Sequence, residues 1–189
     1  MPPRARCAAS TRETMLCSAR RRFLEESYEN VGLRDIARDA GVDVALVGRY
    51  FGSKESLFHE VLRGMRCDWL DSDIGADELP AFLAAMVLRK EEEEDREDLD
   101  RLLIILRSAS SPQASELVRT AFREDVIDPV ARLLDGPDAE LRVAVAFSIL
   151  TGTSVMRTFM GVEPLSECDE PALERKLTRL LSEALSPRE

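Results

Sequence analysis

Apolar residues recur along this chain at helical steps of three and four, and no stretch alternates apolar and polar in the manner of a strand. Met15, Leu16, Ala19, Phe23 and Leu24 mark one face of a helix predicted from about Thr11 to Glu26, with Ser10 just before it and Glu13 in its first turn at capping-box spacing. Leu33, Ile36, Ala37 and Ala40 give a short second helix, about Leu33 to Ala40. Gly41 should end it, because glycine adopts the left-handed conformation without a Cβ penalty. Asp43 is placed to cap a third short helix, Val44 to Phe51, and Gly52 to stop it. Ser53 then caps a fourth, Lys54 to about Trp69.

Beyond that point Asp71 to Pro80 reads as a linker, Ala81–Lys90 as helix, Glu91–Asp95 as a solvated acidic run and Leu99–Arg107 as helix again. Pro112 suits the first turn of a long helix, where its missing N–H costs nothing, and Pro129 should kink or break that helix near Asp128. Gly136-Pro137 is a stop signal. Two long helices close the chain, about Ala139–Gly161 and about Glu170–Leu185, with Pro164 and Pro171 bracketing the turn between them. The uncharged run Val143–Met156 is rich in Ser, Thr, Gly and Ala; it is too short and too polar to span a bilayer and reads as a buried helix. The fold class expected is therefore all-α.

Charge changes this picture from a plain helical globule to a divided molecule. The chain of 189 residues carries a net charge of −10, which taken whole argues against a nucleic-acid partner. Residues 1–66 nevertheless hold 12 Lys/Arg against 9 Asp/Glu, a net of +3, whereas residues 67–189 hold 14 against 27, a net of −13. A basic face can meet phosphates while an acidic body keeps the protein dispersed, although two merely solvated faces would show the same asymmetry. Apolar residues at 44% are enough for a folded core. Cys7, Cys17, Cys67 and Cys168 form no CxxC pair and His59 is the sole histidine, so neither a zinc site nor a disulfide framework is indicated. No metal or cofactor is expected, and a reducing cytoplasm fits the cysteine usage. The opening MPPRARCAAS has arginines but no apolar run behind them, so no signal peptide is expected.

Residues 33–51, LRDIARDAGVDVALVGRYF, place two short helices around a tight glycine turn, the helix-turn-helix pattern. In that motif the second helix sets its N-terminal residues against base edges in the major groove. The first helix together with Ile36, Ala37, Val42, Val47 and Phe51 can supply the rigid base it needs. A plain helical hairpin with a glycine turn fits the spacing as well.

The longer string from Phe23 to Leu62 closely resembles the N-terminal domain of the tetracycline-repressor (TetR) family. The resemblance is carried by Phe23, Tyr28, Arg34-Asp35-Ile36-Ala37, Ala40-Gly41-Val42, Val47, Tyr50-Phe51 and Gly52-Ser53-Lys54-Glu55 followed by Leu57-Phe58, and it extends over about residues 10–65. It implies an all-α homodimer of about nine helices per subunit. It implies residues 1–9 as a flexible basic arm, 10–53 as the helix-turn-helix domain and 54–189 as an effector-binding and dimerisation domain. A small molecule entering the second domain would swing the fourth helix and release the protein from its operator, the behaviour of a repressor. Position by position, Arg34 would meet a phosphate or a base. Val44, Ala45 and Leu46 would open the recognition helix, with Gly48 and Arg49 behind them. Tyr50 and Lys54 would meet phosphates, Lys54 at a helix N-terminus that itself favours anions.

Three positions depart from the family pattern. Val31 and Gly32 stand where hydroxyl residues are usual, and Gly48 stands where Tyr is frequent. The glycine weakens the recognition helix by about 1 kcal/mol. With an apolar helix start, readout would lean on Arg49, thymine methyls and DNA shape. Arg4 and Arg6 could reach a minor groove or form an inert tail, and Arg20–Arg22 could join the basic face or simply be solvated.

In the second domain the resemblance makes the last two helices the dimer seam. Leu173, Leu177, Leu180 and Leu181 form one stripe, and Val145, Ile149, Gly152 and Met156 another, though intrachain core would look the same. Candidates for an effector cavity are Met65, Trp69, Met86, Leu103, Leu106, Phe122, Val126, Phe147, Thr151 and Ser154, an apolar wall with a few hydroxyls that packed core would also supply. Arg107 and Arg157 could pair an anionic effector or nearby carboxylates. Three other readings remain beside the ligand-responsive regulator: a nucleoid-type DNA binder without effector, a helical adaptor that has lost DNA binding, and an enzyme. The last finds no nucleophile–base pair, metal cluster or Gly-rich phosphate loop to support it.

Overall fold

The computed structural model describes residues 3–63, 74–88, 93–109 and 111–187; of residues 3–10 and 93–98 only the backbone is described. The described residues form ten α-helices and no strand. They are α1 (Pro3–Glu25), α2 (Leu33–Asp39), α3 (Val44–Phe51), α4 (Lys54–Leu62), α5 (Leu79–Leu88), α6 (Glu93–Ser108), α7 (Pro112–Phe122), α8 (Asp128–Ala131), α9 (Ala139–Ser154) and α10 (Glu170–Leu185). The chain divides into two compact units, residues 1–66 with 96–122, and residues 67–95 with 123–189.

The first helix starts earlier than its cap signal implies. It begins at Pro3, so residues 3–9, expected as a flexible arm, are its opening turns, and Ser10 lies inside the helix instead of capping it. Proline at the first helical position followed by Arg and Ala, both strong helix formers, favours this extension. The next boundaries fall where local chemistry puts them. Gly41 has φ +67°, and the Val42 N–H reaches back to the Ala37 carbonyl at 2.9 Å while the Gly41 N–H meets Arg38 at 3.2 Å. That pair of bonds is a Schellman closure of α2. Asp43 Oδ1 accepts from the Ala45 N–H at 2.7 Å, and Ser53 Oγ from the Ser56 N–H at 3.1 Å.

The first unit is built on an apolar cluster in which Met15, Ala19 and Phe23 of α1 meet Ile36 and Ala37 of α2, Val47 and Phe51 of α3, Leu57, Phe58, Val61 and Leu62 of α4, and Ile104, Ala114 and Ala121 from α6 and α7. Phe23, Tyr28 and Phe58 pack ring against ring at centroid distances of 4.8–6.0 Å, a geometry aromatic pairs favour. Three helices of this base hold the short third one in place.

In the second unit α10 packs on α5 and α9, and α8 packs on α9. Leu79, Leu83, Val126, Val130, Val143, Ala146, Leu150, Leu177, Leu181 and Leu185 are among its buried residues. The kink expected at Pro129 takes the form of a wide five-residue π-turn, Arg123–Ile127, directly before α8. Proline offers no N–H to the carbonyl four residues earlier, so the ladder cannot continue in α register. A second π-turn, Val155–Phe159, ends α9. Residues 139–159 are long and apolar enough by length and composition to cross a membrane, with mean hydropathy 1.3, yet their inner residues Val143, Ala146 and Leu150 pack within this unit. Arg142 is buried, and its guanidinium donates to the Leu185 carbonyl at 2.7 Å and the Asp135 carbonyl at 2.6 Å, satisfying the C-terminal end of α10.

Candidate nucleic-acid interface

The third helix turns its apolar residues Val47 and Phe51 inward and leaves Val44, Ala45 and Arg49 exposed, with Leu46, Gly48 and Tyr50 half-buried. Val44, Ala45, Gly48 and Arg49 follow one another at steps of one, three and one and so share the outer face. At Gly48 the direction a Cβ would take is open, with no heavy atom within 4 Å. That face offers methyl groups and one guanidinium. It can touch thymine methyls and place a two-pronged donor on a guanine edge or a phosphate.

Around this face the structure sets further cations. Arg34, in the first turn of α2, is exposed. Lys54 opens α4, where free backbone N–H groups favour an anion. Its ammonium is not loose: Nζ donates to the Glu29 carbonyl at 3.4 Å and lies 4.3 Å from the centre of the Tyr28 ring. This partial burial lowers the Lys54 pKa against the opposing influence of Glu29 and Glu55. The Tyr28 hydroxyl donates to Glu55 Oε1 at 3.3 Å; burial and that nearby carboxylate push its pKa up to about 12. Tyr50 sits beside Phe51, ring centres 6.3 Å apart.

Other arginines of this unit are committed elsewhere. Arg21 and Arg22 pair with Asp39, which ties α1 to the end of α2. Arg12 pairs with Glu60 at 2.8 Å, and Arg38 with Asp35 at 2.7 Å. The basic face is thus narrower than the count of arginines implied. The part played by Tyr28 and Glu29 in holding Lys54, and by Asp39 in holding α2, had no sequence signal, since the partners lie 17 to 26 residues apart. Among the described residues no cluster of three or more His, Cys, Asp or Glu could hold a metal ion.

The effector candidates are divided between the two units. Leu103, Leu106 and Phe122 belong to the first unit, whereas Met86, Val126, Phe147, Thr151 and Ser154 belong to the second; Met65 and Trp69 lie outside the described residues. Val126 is buried core and Leu106 is exposed. Two open grooves occur elsewhere. One of about 340 Å³ lies along Tyr50, Phe51, His59, Glu60 and Leu117, and one of about 690 Å³ along Arg123, Asp128, Arg132 and Glu140. None of the effector candidates lines either. Arg157 is engaged by Glu170 at 2.8 Å and by the Leu165 carbonyl, so it pairs a carboxylate of its own chain. Arg107 donates to the Glu25 carbonyl at 3.1 Å.

The two stripes on the last long helices are divided by burial. Leu177 and Leu181 are closed inside the unit; Ile149 and Leu173 are half-buried; Val145, Gly152, Met156 and Leu180 are exposed. Leu141, Phe159 and Met160, not singled out from the sequence, are exposed as well.

An outward-facing short helix, seated by a glycine turn on a three-helix base in an all-helical chain, defines a DNA-binding helix-turn-helix regulator of transcription. The chain belongs to the TetR family: residues 16–61 match the family described as bacterial regulatory proteins, tetR family, and residues 77–185 the tetracyclin repressor-like C-terminal domain. A stretch of 57 residues is 40% identical to the HTH-type transcriptional regulator BetI of Agrobacterium fabrum (strain C58), covering 30% of this chain and only 28% of that protein. A TetR-family regulator from Streptomyces coelicolor A3 is 29% identical over 93% of this chain and 94% of its own, with a TM-score of 0.51. NalD, the secondary repressor of the MexAB-OprM multidrug efflux pump in Pseudomonas aeruginosa, shares the fold at a TM-score of 0.67, with 21% identity over 92% of this chain and 96% of its own.

Proposed function

We propose that this protein is a homodimeric repressor that leaves its operator when a small molecule binds the second domain. The observation that carries the DNA half is the exposed face of α3, with Val44, Ala45, Gly48 and Arg49 turned outward and Leu46 beside them. Arg49 and the methyl groups would read bases. Arg34, Tyr50 and Lys54 would hold phosphates on either side. Dimer formation would use the apolar residues Val145, Met156 and Leu180, each of which a single copy leaves exposed to water. TetR-family regulators act as dimers on DNA, and membership of that family supports reading this chain as a cytoplasmic, non-enzymatic DNA binder. Release by an effector is the family's behaviour, and the described effector candidates are the positions at which a ligand would be sought.

A mobility shift with the intergenic DNA upstream of its own gene tests the reading. Saturable binding that outcompetes mixed-sequence DNA supports it; equal affinity for both favours a nucleoid-type binder, and no binding to either favours an adaptor. A library of apolar small molecules screened by melting temperature, followed by loss of the shifted band, tests the effector half. Compounds that raise Tm without releasing DNA would count against release.

A further inference from the structure

We propose that Glu29 is a positioning residue for DNA binding: its carboxylate is held by Ser111, and its carbonyl thereby cradles the Lys54 ammonium, so that the corner between α6 and α7 sets the geometry of a phosphate contact on α4. The proposal rests on the assignment of Lys54 to a phosphate.

The turn between α1 and α2 has little regular bonding of its own, mainly the Asn30 and Val31 N–H groups on the Ser27 carbonyl. From the side of α6 and α7 it is fastened at two points. Arg107 of α6 donates to the Glu25 carbonyl at its beginning, at 3.1 Å. Ser111, buried at the start of α7, donates to the Glu29 carboxylate near its end. The serine hydroxyl has a single proton, and its oxygen is already an acceptor for the Ala114 N–H at 3.0 Å, so its one donation is directed at Glu29. A bond to an ionised carboxylate is of the stronger, charge-assisted kind. It also lowers the Glu29 pKa, so the acceptor stays charged at neutral pH.

The opposite side of the same residue holds Lys54. Its ammonium, on a flexible four-carbon stem, is confined by the Glu29 carbonyl and the Tyr28 ring, two neighbours in one turn. An ammonium has three donors, so those left over remain for a phosphate, and the rotamer entropy normally lost on binding is largely lost beforehand. A shift of the α6–α7 corner would carry Glu29 with it and spoil that cradle without moving α4.

Two substitutions of equal charge separate this from simple electrostatics. Glu29→Gln keeps an oxygen able to accept from Ser111; Glu29→Ala keeps none; both leave the Ser111 cap on α7 in place. Full-length proteins would be titrated by fluorescence anisotropy against duplex DNA from the upstream intergenic region over a series of salt concentrations. Glu29→Ala should bind roughly fivefold more weakly than Glu29→Gln, with a flatter salt dependence, and the difference should vanish in a Lys54→Ala background. Equal binding by the two Glu29 variants, with Lys54→Ala impaired, would overturn the positioning role and leave the phosphate assignment standing. A Lys54→Ala protein with unaltered affinity and salt dependence would overturn that assignment and the present proposal with it.

Discussion

The guanidinium of Arg22 meets the carboxylate of Asp39 at two points, Nε to Oδ2 at 2.6 Å and Nη2 to Oδ1 at 2.9 Å. Arg21 adds a third bond to the same carboxylate at 3.1 Å. This pair anchors the end of α2 to α1, and α2 is the helix from which the recognition helix turns. Bonding to Arg22, then to Arg21, holds the Asp39 carboxyl at about 2, below its ordinary value of 3.8. A carboxyl depressed in the folded state stabilises the protein above its unfolded value and loses that contribution as pH falls toward the folded value. The Tm difference between the wild type and Asp39→Asn should be constant above about pH 5 and shrink between about pH 4 and 2. A difference that does not change with pH would mean the pair contributes nothing through ionisation.

Tyr50 and Lys54 flank the recognition helix and are assigned to phosphates. Phosphate contacts act on every sequence alike and set the salt dependence. Tyr50→Phe combined with Lys54→Ala should weaken binding to operator and mixed-sequence DNA in equal proportion. The slope of log K against log salt should fall by about 1, the share of a single lysine–phosphate pair. Titrations at several salt concentrations give both affinity and slope; wild-type values of the two together would remove both residues from the interface.

Leu180 is 45% exposed and Leu177 only 3% on the same helix. The two should respond differently. Leu180→Asp is expected to leave a folded monomer in sedimentation and to abolish tight operator binding, because one reader alone lacks the second half-site. Leu177→Ala should instead destabilise the protomer by about 2–5 kcal/mol, the cost of a cavity in a packed core, with no change in assembly of the folded fraction. A tight Leu180→Asp dimer would move the seam to other exposed residues.

Gly48 lies inside α3 with space where a side chain would stand. Gly48→Ala should therefore raise stability by about 1 kcal/mol through helix propensity alone. Thermal melts will register the gain; operator titration reads separately whether a methyl added on this DNA-facing surface meets the duplex. A loss of affinity despite a higher Tm would place the backbone at Gly48 against the DNA.

The boundaries of the reader were legible in the chain because caps and glycine stops are local. Asp43 and Ser53 each satisfy N–H groups two or three residues away, and Gly41 closes α2 over five residues, so their chemistry needs no knowledge of the rest of the fold. The start of α1 was not legible, because two local signals compete there: a good cap at Ser10 and a run of helix formers before it, and the helix formers prevail. Arg157, left open between an anionic effector and a carboxylate, was settled by Glu170, 13 residues away across a turn.

By itself the sequence determined that this chain folds as helices, where the helix-turn-helix begins and ends, and which family it belongs to, since all three are carried by periodicity, caps and contiguous residues. Only the tertiary structure decided which apolar stripe is core and which is surface, which arginines are spent on Asp39, Glu60 and Glu170, and that Lys54 rests on Tyr28 and Glu29. The physical reason is that helical periodicity says a face is apolar or charged but not what lies against it, and burial and pairing are properties of residues brought together from distant parts of the chain.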